Sequence, residues 1–323
     1  MNRRAPCAPA VLPRPPVEDY TGAMLLSRFR RALSTGVPAM LLAVFLGAAP
    51  GHAATVAVSN PGFETPFANN GFVIIGAPTG WSIYNAANIN GSADAVGVIN
   101  PTGTAHFPAG AAEGRNAAVI FMDGPATGEA GLEQTLAATL QAERRYTLRV
   151  EVGNIAAGTA NFGYFNLAGF PGYRVELLAG TNVLATDNNT LAGSIPEGEF
   201  RTATVVASIG ATNAALGAAL RIRLVNLNIS GPPAEPGIEV NFDNVRLTEE
   251  PRRPVLSGRR APGDGLELRW VDVSGRFTLQ SATNLPSVAW QNVPGVAPAT
   301  NGSNFVSLPA TGAGSFLRLH AAE

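Results

Sequence analysis

The segment Tyr146-Thr147-Leu148-Arg149-Val150-Glu151-Val152 alternates without a break, with Tyr, Leu and Val on one side and Thr, Arg and Glu on the other. A two-residue period sends successive side chains to opposite faces, so this run is a strand with one face on a core and one in water. Tyr173-Arg174-Val175-Glu176-Leu177 and Arg221-Ile222-Arg223-Leu224 repeat the pattern. From Thr55 to Thr248 such runs are short and separated by Gly, Asn, Pro and Thr turns, with little helical periodicity. Thr135 to Arg144 reads either as a helical turn or as strand plus loop. The expected fold class is all-β, an antiparallel sandwich.

Residues 1–54 read as an export signal rather than as fold. Arg28, Arg30 and Arg31 form a basic region, Val37 to Ala49 is apolar but too short for a membrane span, and Gly51-His52-Ala53-Ala54 offers small residues for cleavage. Met24 would start a signal of ordinary length, which makes 1–23 a candidate over-long gene start. The alternative is an uncleaved N-terminal anchor. With cleavage, the expected location is secreted, extracellular or at the cell surface, with no membrane span in the mature chain.

Export also removes chemistry. Cys7 is the single cysteine, so the mature chain has no disulfide, thiolate nucleophile or Cys-ligated zinc. No lysine occurs anywhere, which rules out a lysine Schiff base or a phosphate-binding lysine loop. Beyond Ala53 there are 16 arginines against 21 acids, a formal charge of −5, against −1 for the whole chain. Nucleic acid, which demands a concentrated positive face, is not an expected partner.

Residues 249–263 (EEPRRPVLSGRRAPG) break the strand pattern with three prolines and four arginines and read as a linker. After it, Leu266 to Trp270, Arg276 to Gln280, Trp290 to Val293 and Ser315 to Leu319 are short strands, with Asp264-Gly265 and Asn301-Gly302 where hairpin turns need positive φ. The run "FTLQSATNL", then "WQNVPG", then "FLRL" resembles the small Ig/fibronectin-like β-sandwich that closes many secreted proteins of the Verrucomicrobia type. The expected organisation is an export region over 1–54, a jelly roll over 55–248, a linker over 249–263 and a small sandwich over 264–323.

Two motifs bracket the larger unit: Asn60-Pro61-Gly62-Phe63-Glu64 and Phe242-Asp243-Asn244-Val245-Arg246-Leu247. In Ile238 to Phe242 the even positions are apolar, and after Asn244 the odd positions Val245 and Leu247 are. A phase switch within one strand implies a bulge, and it puts Asp243 in register with the later apolar face. An inward carboxylate needs a partner or a metal. The other readings are an exposed acidic bulge, or Asp243 paired with an arginine such as Arg246.

Together the motifs resemble the first and last strands of secreted bacterial galactose-binding-like, or carbohydrate-binding-module, jelly rolls. The resemblance implies that these strands lie side by side and that Glu64 and Asp243 hold a structural calcium with backbone carbonyls, a donor set this hard cation accepts. It also implies binding rather than catalysis, with a polysaccharide or cell-surface glycan as partner.

Sugar sites set flat aromatic rings beside amide and carboxylate groups. Asn161-Phe162-Gly163-Tyr164-Phe165-Asn166, continuing to Phe170 and Tyr173, is one such stretch. The candidate ligand residues are Tyr164, Phe165 and Asn166, with Trp81 and Tyr84 as a second pair. Trp81, in Pro78-Thr79-Gly80-Trp81, equally fits the buried core. Neither His106 nor His320 lies near a Gly-x-Ser-x-Gly turn, and the acids are scattered singly, so no catalytic residues are expected. The expected function is a secreted, non-catalytic carbohydrate-binding module stiffened by calcium. The alternative is a structural or adhesive surface protein that binds no sugar.

Overall fold

The computed structural model describes residues 53–86, 94–122, 128–161, 163–229, 238–261, 265–272, 275–284, 289–298, 303–309 and 315–321. Residues 1–52 of the expected export segment, Phe162, Asp264 and the Asn301-Gly302 turn lie outside them. Among the described residues there are 21 strands and no helix, so the chain is all-β.

The larger unit holds β1 (Ala54–Val56), β2 (Val73–Ile75), β3 (Ser82–Asn85), β4 (Asp94–Ile99), β5 (Ala117–Met122), β6 (Ala130–Thr139), β7 (Arg144–Asn154), β8 (Gly158–Ala160), β9 (Gly163–Phe165), β10 (Tyr173–Ala179), β11 (Asn182–Asn188), β12 (Glu199–Ser208), β13 (Ala219–Asn226) and β14 (Glu239–Pro251). Its seven-stranded sheet runs β12-β7-β14-β5-β4-β2 with β1 added beside β14, and its five-stranded sheet runs β11-β10-β13-β6-β3. Tyr146, Leu148, Val150 and Val152 of β7 meet Tyr173, Val175 and Leu177 of β10 and Ile222 and Leu224 of β13 in one buried cluster. Each such side chain contributes roughly 1.5–3 kcal/mol by leaving water. Thr135 to Arg144, open between helix and strand in the sequence, is the end of β6, a turn and the start of β7.

Strand β5 breaks the rule of alternation. In Ala117-Ala118-Val119-Ile120-Phe121-Met122 only Phe121 is even half-exposed. Ala118 and Ile120 enter the sandwich core. Ala117 and Val119 turn the other way, into a second cluster with Ile99, Phe107, Ile155 and Leu167. A strand covered on both faces reads as a continuous apolar run. The seven-stranded sheet therefore carries a second layer on its outer side.

The phase switch in β14 is a bulge. Its register against β7 slips between Asp243 and Arg246, and Asn244 takes φ 50°. Val245 donates its N–H to Pro61 O at 2.9 Å, tying the bulge to the loop after β1.

Beyond the larger unit come β15 (Ser257–Ala261), β16 (Gly265–Val271), β17 (Phe277–Ala282), β18 (Gln291–Asn292), β19 (Ala297–Pro298), β20 (Ser303–Pro309) and β21 (Phe316–Ala321). They form sheets β15-β16-β20-β19 and β18-β17-β21 over a core that includes Leu268, Trp270, Leu279, Val306, Leu317 and Leu319. The Pro/Arg-rich stretch is strand at both ends: Glu249 to Pro251 finish β14 against β7, and Ser257 to Ala261 pair with β16. Glu267 offers Arg259 an ion pair across that second pairing, which is a contact composition alone does not disclose.

Candidate functional site

The second layer on the seven-stranded sheet borders a partly open cavity of about 340 Å³. Its floor is the set of outward-facing strand residues: Val73 of β2, Ile99 of β4, Val119 and Phe121 of β5, and Glu239 of β14. Its roof is the loop carrying Thr104 and His106, together with Phe165 and Ala160 of the β8–β9 hairpin.

Local hydrogen bonds hold this roof. Thr104 Oγ1 donates to Pro101 O at 2.8 Å and accepts from His106 N at 3.3 Å. Ala105 N donates to Thr159 O, and Ala156 N to His106 O, both at 3.2 Å. A side chain at Gly158 would stand 2.6 Å from Ala105 Cβ, so glycine is what lets the hairpin close on the loop. Asn161 Nδ2 donates to Asn70 O at 2.7 Å, joining the hairpin to the chain entering β2.

Two ionisable side chains stand in this apolar wall. The Glu239 carboxyl is buried with no cation paired to it among the described residues, and Asn241 Nδ2 donates to its Oε1 at 3.0 Å. Burial pushes the carboxyl up to about 7, against the smaller opposite pull of the Asn241 bond. Near neutral pH it is therefore poised to give up a proton. Asn241 is held in turn by donating to Ala118 O at 3.2 Å. His106 places Nδ1 at 2.8 Å from Ala156 O, and its ring centre lies 6.3 Å from that of Phe165.

Of the aromatics picked from the sequence, Phe165 lines the cavity, Tyr164 beside it is 68% exposed, and Asn166 follows in an exposed position. Trp81 is buried in the sandwich core, its Nε1–H donating to Asn60 O at 3.2 Å and its ring 5.1 Å from that of Phe63. Tyr84 lies in the five-stranded sheet under the Arg223 guanidinium, 4.1 Å from its ring centre. Trp81 and Tyr84 thus join neither each other nor the hairpin pair.

Glu239 was not singled out in the sequence. In Ile238 to Phe242 it falls on the polar side, which alternation assigns to water. The apolar run of β5, the strand paired with it, is the signal that this side is covered.

A separate acidic cluster forms where β1 pairs with β14, Val56 opposite Leu247. Asp243 is fully buried, its Oδ2 accepting from Glu113 N at 2.7 Å and its Oδ1 from Asn244 N at 2.6 Å. Glu64 Oε1 accepts from Arg115 N at 2.7 Å and Asn116 N at 2.9 Å. Arg246 pairs with Glu113 at 2.8 Å rather than with Asp243. Two glycines make the room: a Cβ on Gly62 would lie 2.5 Å from Glu113 Oε2 and 3.7 Å from Asp243 Oδ1, and one on Gly114 would strike Glu64 Oε1. Burial, helped by the charges of Glu113 and Glu64, raises the Asp243 carboxyl to about 8 despite its two backbone donors. The cluster is short of positive charge. Among the described residues no three His, Cys, Asp or Glu side chains close on one point, so a cation here relies on Glu64, Asp243 and backbone oxygens.

Residues 54–248 match the model of a family described as HpiC1-like, HpiC1 cyclase. Among solved structures, the Stig cyclase Fisc of Fischerella sp. TAU, in complex with (3Z)-3-(1-methyl-2-pyrrolidinylidene)-3H-indole, is 37% identical with a TM-score of 0.55, over 62% of this chain and 100% of that one. A cyclase of Fischerella sp. TAU in complex with 4-(1H-indol-3-yl)butan-2-one is 38% identical with a TM-score of 0.55, over the same shares. The Clostridium thermocellum xylanase module complexed with xylohexaose reaches 14% identity and a TM-score of 0.31, over 57% of this chain and 28% of that one, too distant to bear on function. No curated protein sequence matches the chain.

These matches overturn the galactose-binding-like, carbohydrate-binding-module assignment. The non-catalytic role, its structural or adhesive alternative, and the polysaccharide or glycan partner fall with it. The physical reason is in the cavity: a concave, mainly apolar pocket with a buried carboxyl in its floor is unlike a flat aromatic platform ringed by polar groups. The lack of a Gly-x-Ser-x-Gly turn near either histidine speaks against a serine nucleophile of that type but not against acid chemistry, which needs a single proton donor.

Proposed function

The chain belongs to the HpiC1-like cyclase family, and on that footing we propose that it closes a ring in a small apolar substrate of the indole class, with Glu239 as the acid. One observation carries this reading: a buried carboxyl with no cation paired to it among the described residues, standing in a mainly apolar cavity, where burial raises its hold on the proton. The indole compounds bound by the Fischerella cyclases support the substrate class.

In the proposed reaction the Glu239 carboxyl delivers its proton to the substrate's π system, and the resulting cationic carbon is attacked by another π bond of the same molecule. A carbon–carbon bond forms, and the cyclised cation returns a proton to the Glu239 carboxylate, which restores neutrality and the acid, so substrate and product are isomers. The walls contribute by excluding water, which would otherwise trap the cation. The ring faces of Phe121 and Phe165, both on the cavity, favour positive charge nearby. Asn241 holds the carboxyl and steadies the carboxylate left after proton transfer.

A structural calcium held by Glu64 and Asp243 completes this reading. Bound there, it would neutralise the acids and pin the loop after β1 to the bulge of β14. The fit rests on the charge deficit and on the room left by Gly62 and Gly114. Export with cleavage after Ala53 and an independent small sandwich over 264–323 are also part of the proposal, the first checked by N-terminal sequencing of protein recovered from culture medium.

Incubation with indoles that carry pendant alkenes, followed by mass spectrometry and NMR, tests the activity. Products of unchanged mass with one additional ring support it. Failure to bind 4-(1H-indol-3-yl)butan-2-one, together with no isomerisation of any such indole, retires it.

A further inference from the structure

The geometry points to His106 as the residue that selects and orients the ligand, its Nε2 accepting a hydrogen bond from the N–H of an aromatic heterocycle in the cavity. This rests on the cyclase reading and adds a specificity-determining residue that the acid alone does not supply.

His106 lies in the cavity roof, and its ring is locked. Nδ1 is 2.8 Å from Ala156 O, a carbonyl that can only accept, so in the neutral ring the proton sits on Nδ1 and the lone pair on Nε2. The backbone is committed as well, its N–H donating to Thr104 Oγ1 and its carbonyl accepting from Ala156 N. Residues 106 and 156 therefore grip each other twice, and the imidazole cannot swing away without breaking that tie.

Nε2 has no hydrogen-bond partner among the described residues. Nor is it one of the buried side-chain atoms shut off without a partner. His106 is one of the cavity's lining residues, so the cavity is where a partner for Nε2 can stand. An acceptor that the protein leaves free in a mainly apolar wall is a point where a ligand donor can exchange water for a direct hydrogen bond. At Glu239 the polarity is opposite: Asn241 occupies Oε1, which leaves Oε2 to carry the proton. The cavity thus presents one acceptor and one donor on apolar walls. The complementary ligand is a flat apolar ring system with its own N–H, and N-alkylation of that ring removes the match.

The experiment uses the full chain labelled with 15N at histidine, the His106 signals being assigned by their loss in His106→Phe. It is titrated with 4-(1H-indol-3-yl)butan-2-one and with the N1-methyl derivative of the same ketone. The N–H compound is expected to move the Nε2 resonance upfield while the methylated one leaves it in place. His106→Phe is expected to weaken the N–H compound about 3- to 10-fold, the range of one neutral hydrogen bond, and to leave the methylated compound's affinity unchanged. Equal binding of both compounds with a still Nε2 resonance overturns this inference and leaves the cyclase reading standing. No binding of either removes the indole reading and this inference together. The resonance is read on the unaltered protein, and loss of the other signals in His52→Gln and His320→Gln assigns His106 by elimination, so the outcome does not depend on whether His106→Phe folds.

Discussion

Glu239 and Asn241 stand two residues apart on one face of β14, and the Asn241 amide donates to Glu239 Oε1 at 3.0 Å. Acid and positioning group thus travel on one strand, so a shift of β14 moves both together.

Glu239→Gln keeps the shape and removes the transferable proton. Turnover of an alkenyl indole is expected to fall about 10²- to 10⁴-fold, the usual worth of a positioned general acid. Melting temperature should hold or rise, because the substitution removes a carboxyl that burial disfavours in its charged form. Unchanged turnover would assign the proton to another group.

The pH dependence follows from the same carboxyl. Its folded value of about 7 lies above the ordinary 4.5, so the folded state holds the proton more tightly than the unfolded one. Stability from this group is fully present below about pH 4.5 and is lost as pH rises towards 7. Activity, which needs the protonated form, is expected to decline as pH passes about 7, read as the falling limb of kcat/KM. Asn241→Leu removes the bond that pulls the carboxyl down, so that limb should move to higher pH. A limb that stays put dissociates Asn241 from the acid.

Phe165→Ala is expected to weaken 4-(1H-indol-3-yl)butan-2-one about 3- to 10-fold, the worth of one aromatic contact. Tyr84→Ala should leave that affinity untouched, since its ring serves Arg223 on the other sheet. Calorimetric titration of the two variants separates the cavity from that distant surface.

Chelator is expected to lower the melting temperature by about 5–10 °C if calcium is present at some hundredfold over its dissociation constant. Asp243→Asn should abolish most of that difference, and Gly62→Ala should shrink it by pushing Glu113 aside. A melting curve indifferent to chelator at calcium saturation removes the ion.

Much of this architecture is legible in the chain. The alternation of Tyr146 to Val152 locates β7, and the change of phase around Asp243 locates the bulge. The proximity of the Glu64 loop to Asp243 follows from the motif pair. Glu113 escapes notice because its place beside Asp243 depends on a contact 130 residues apart. Glu239 escapes for a related reason. Local periodicity reports which side of a strand is apolar, not whether a remote hairpin and loop cover the polar side. The catalytic role is hidden at that point, because a buried lone acid is invisible until its roof is known.

Strand β5 serves two masters by parity. Its even-numbered Ala118 and Ile120 hold the sandwich together, while its odd-numbered Val119 and Phe121 shape the chamber. Changes at the odd positions can recut the chamber for a different guest without loosening the scaffold. Diversification of such a cyclase has a route that leaves its foldedness alone.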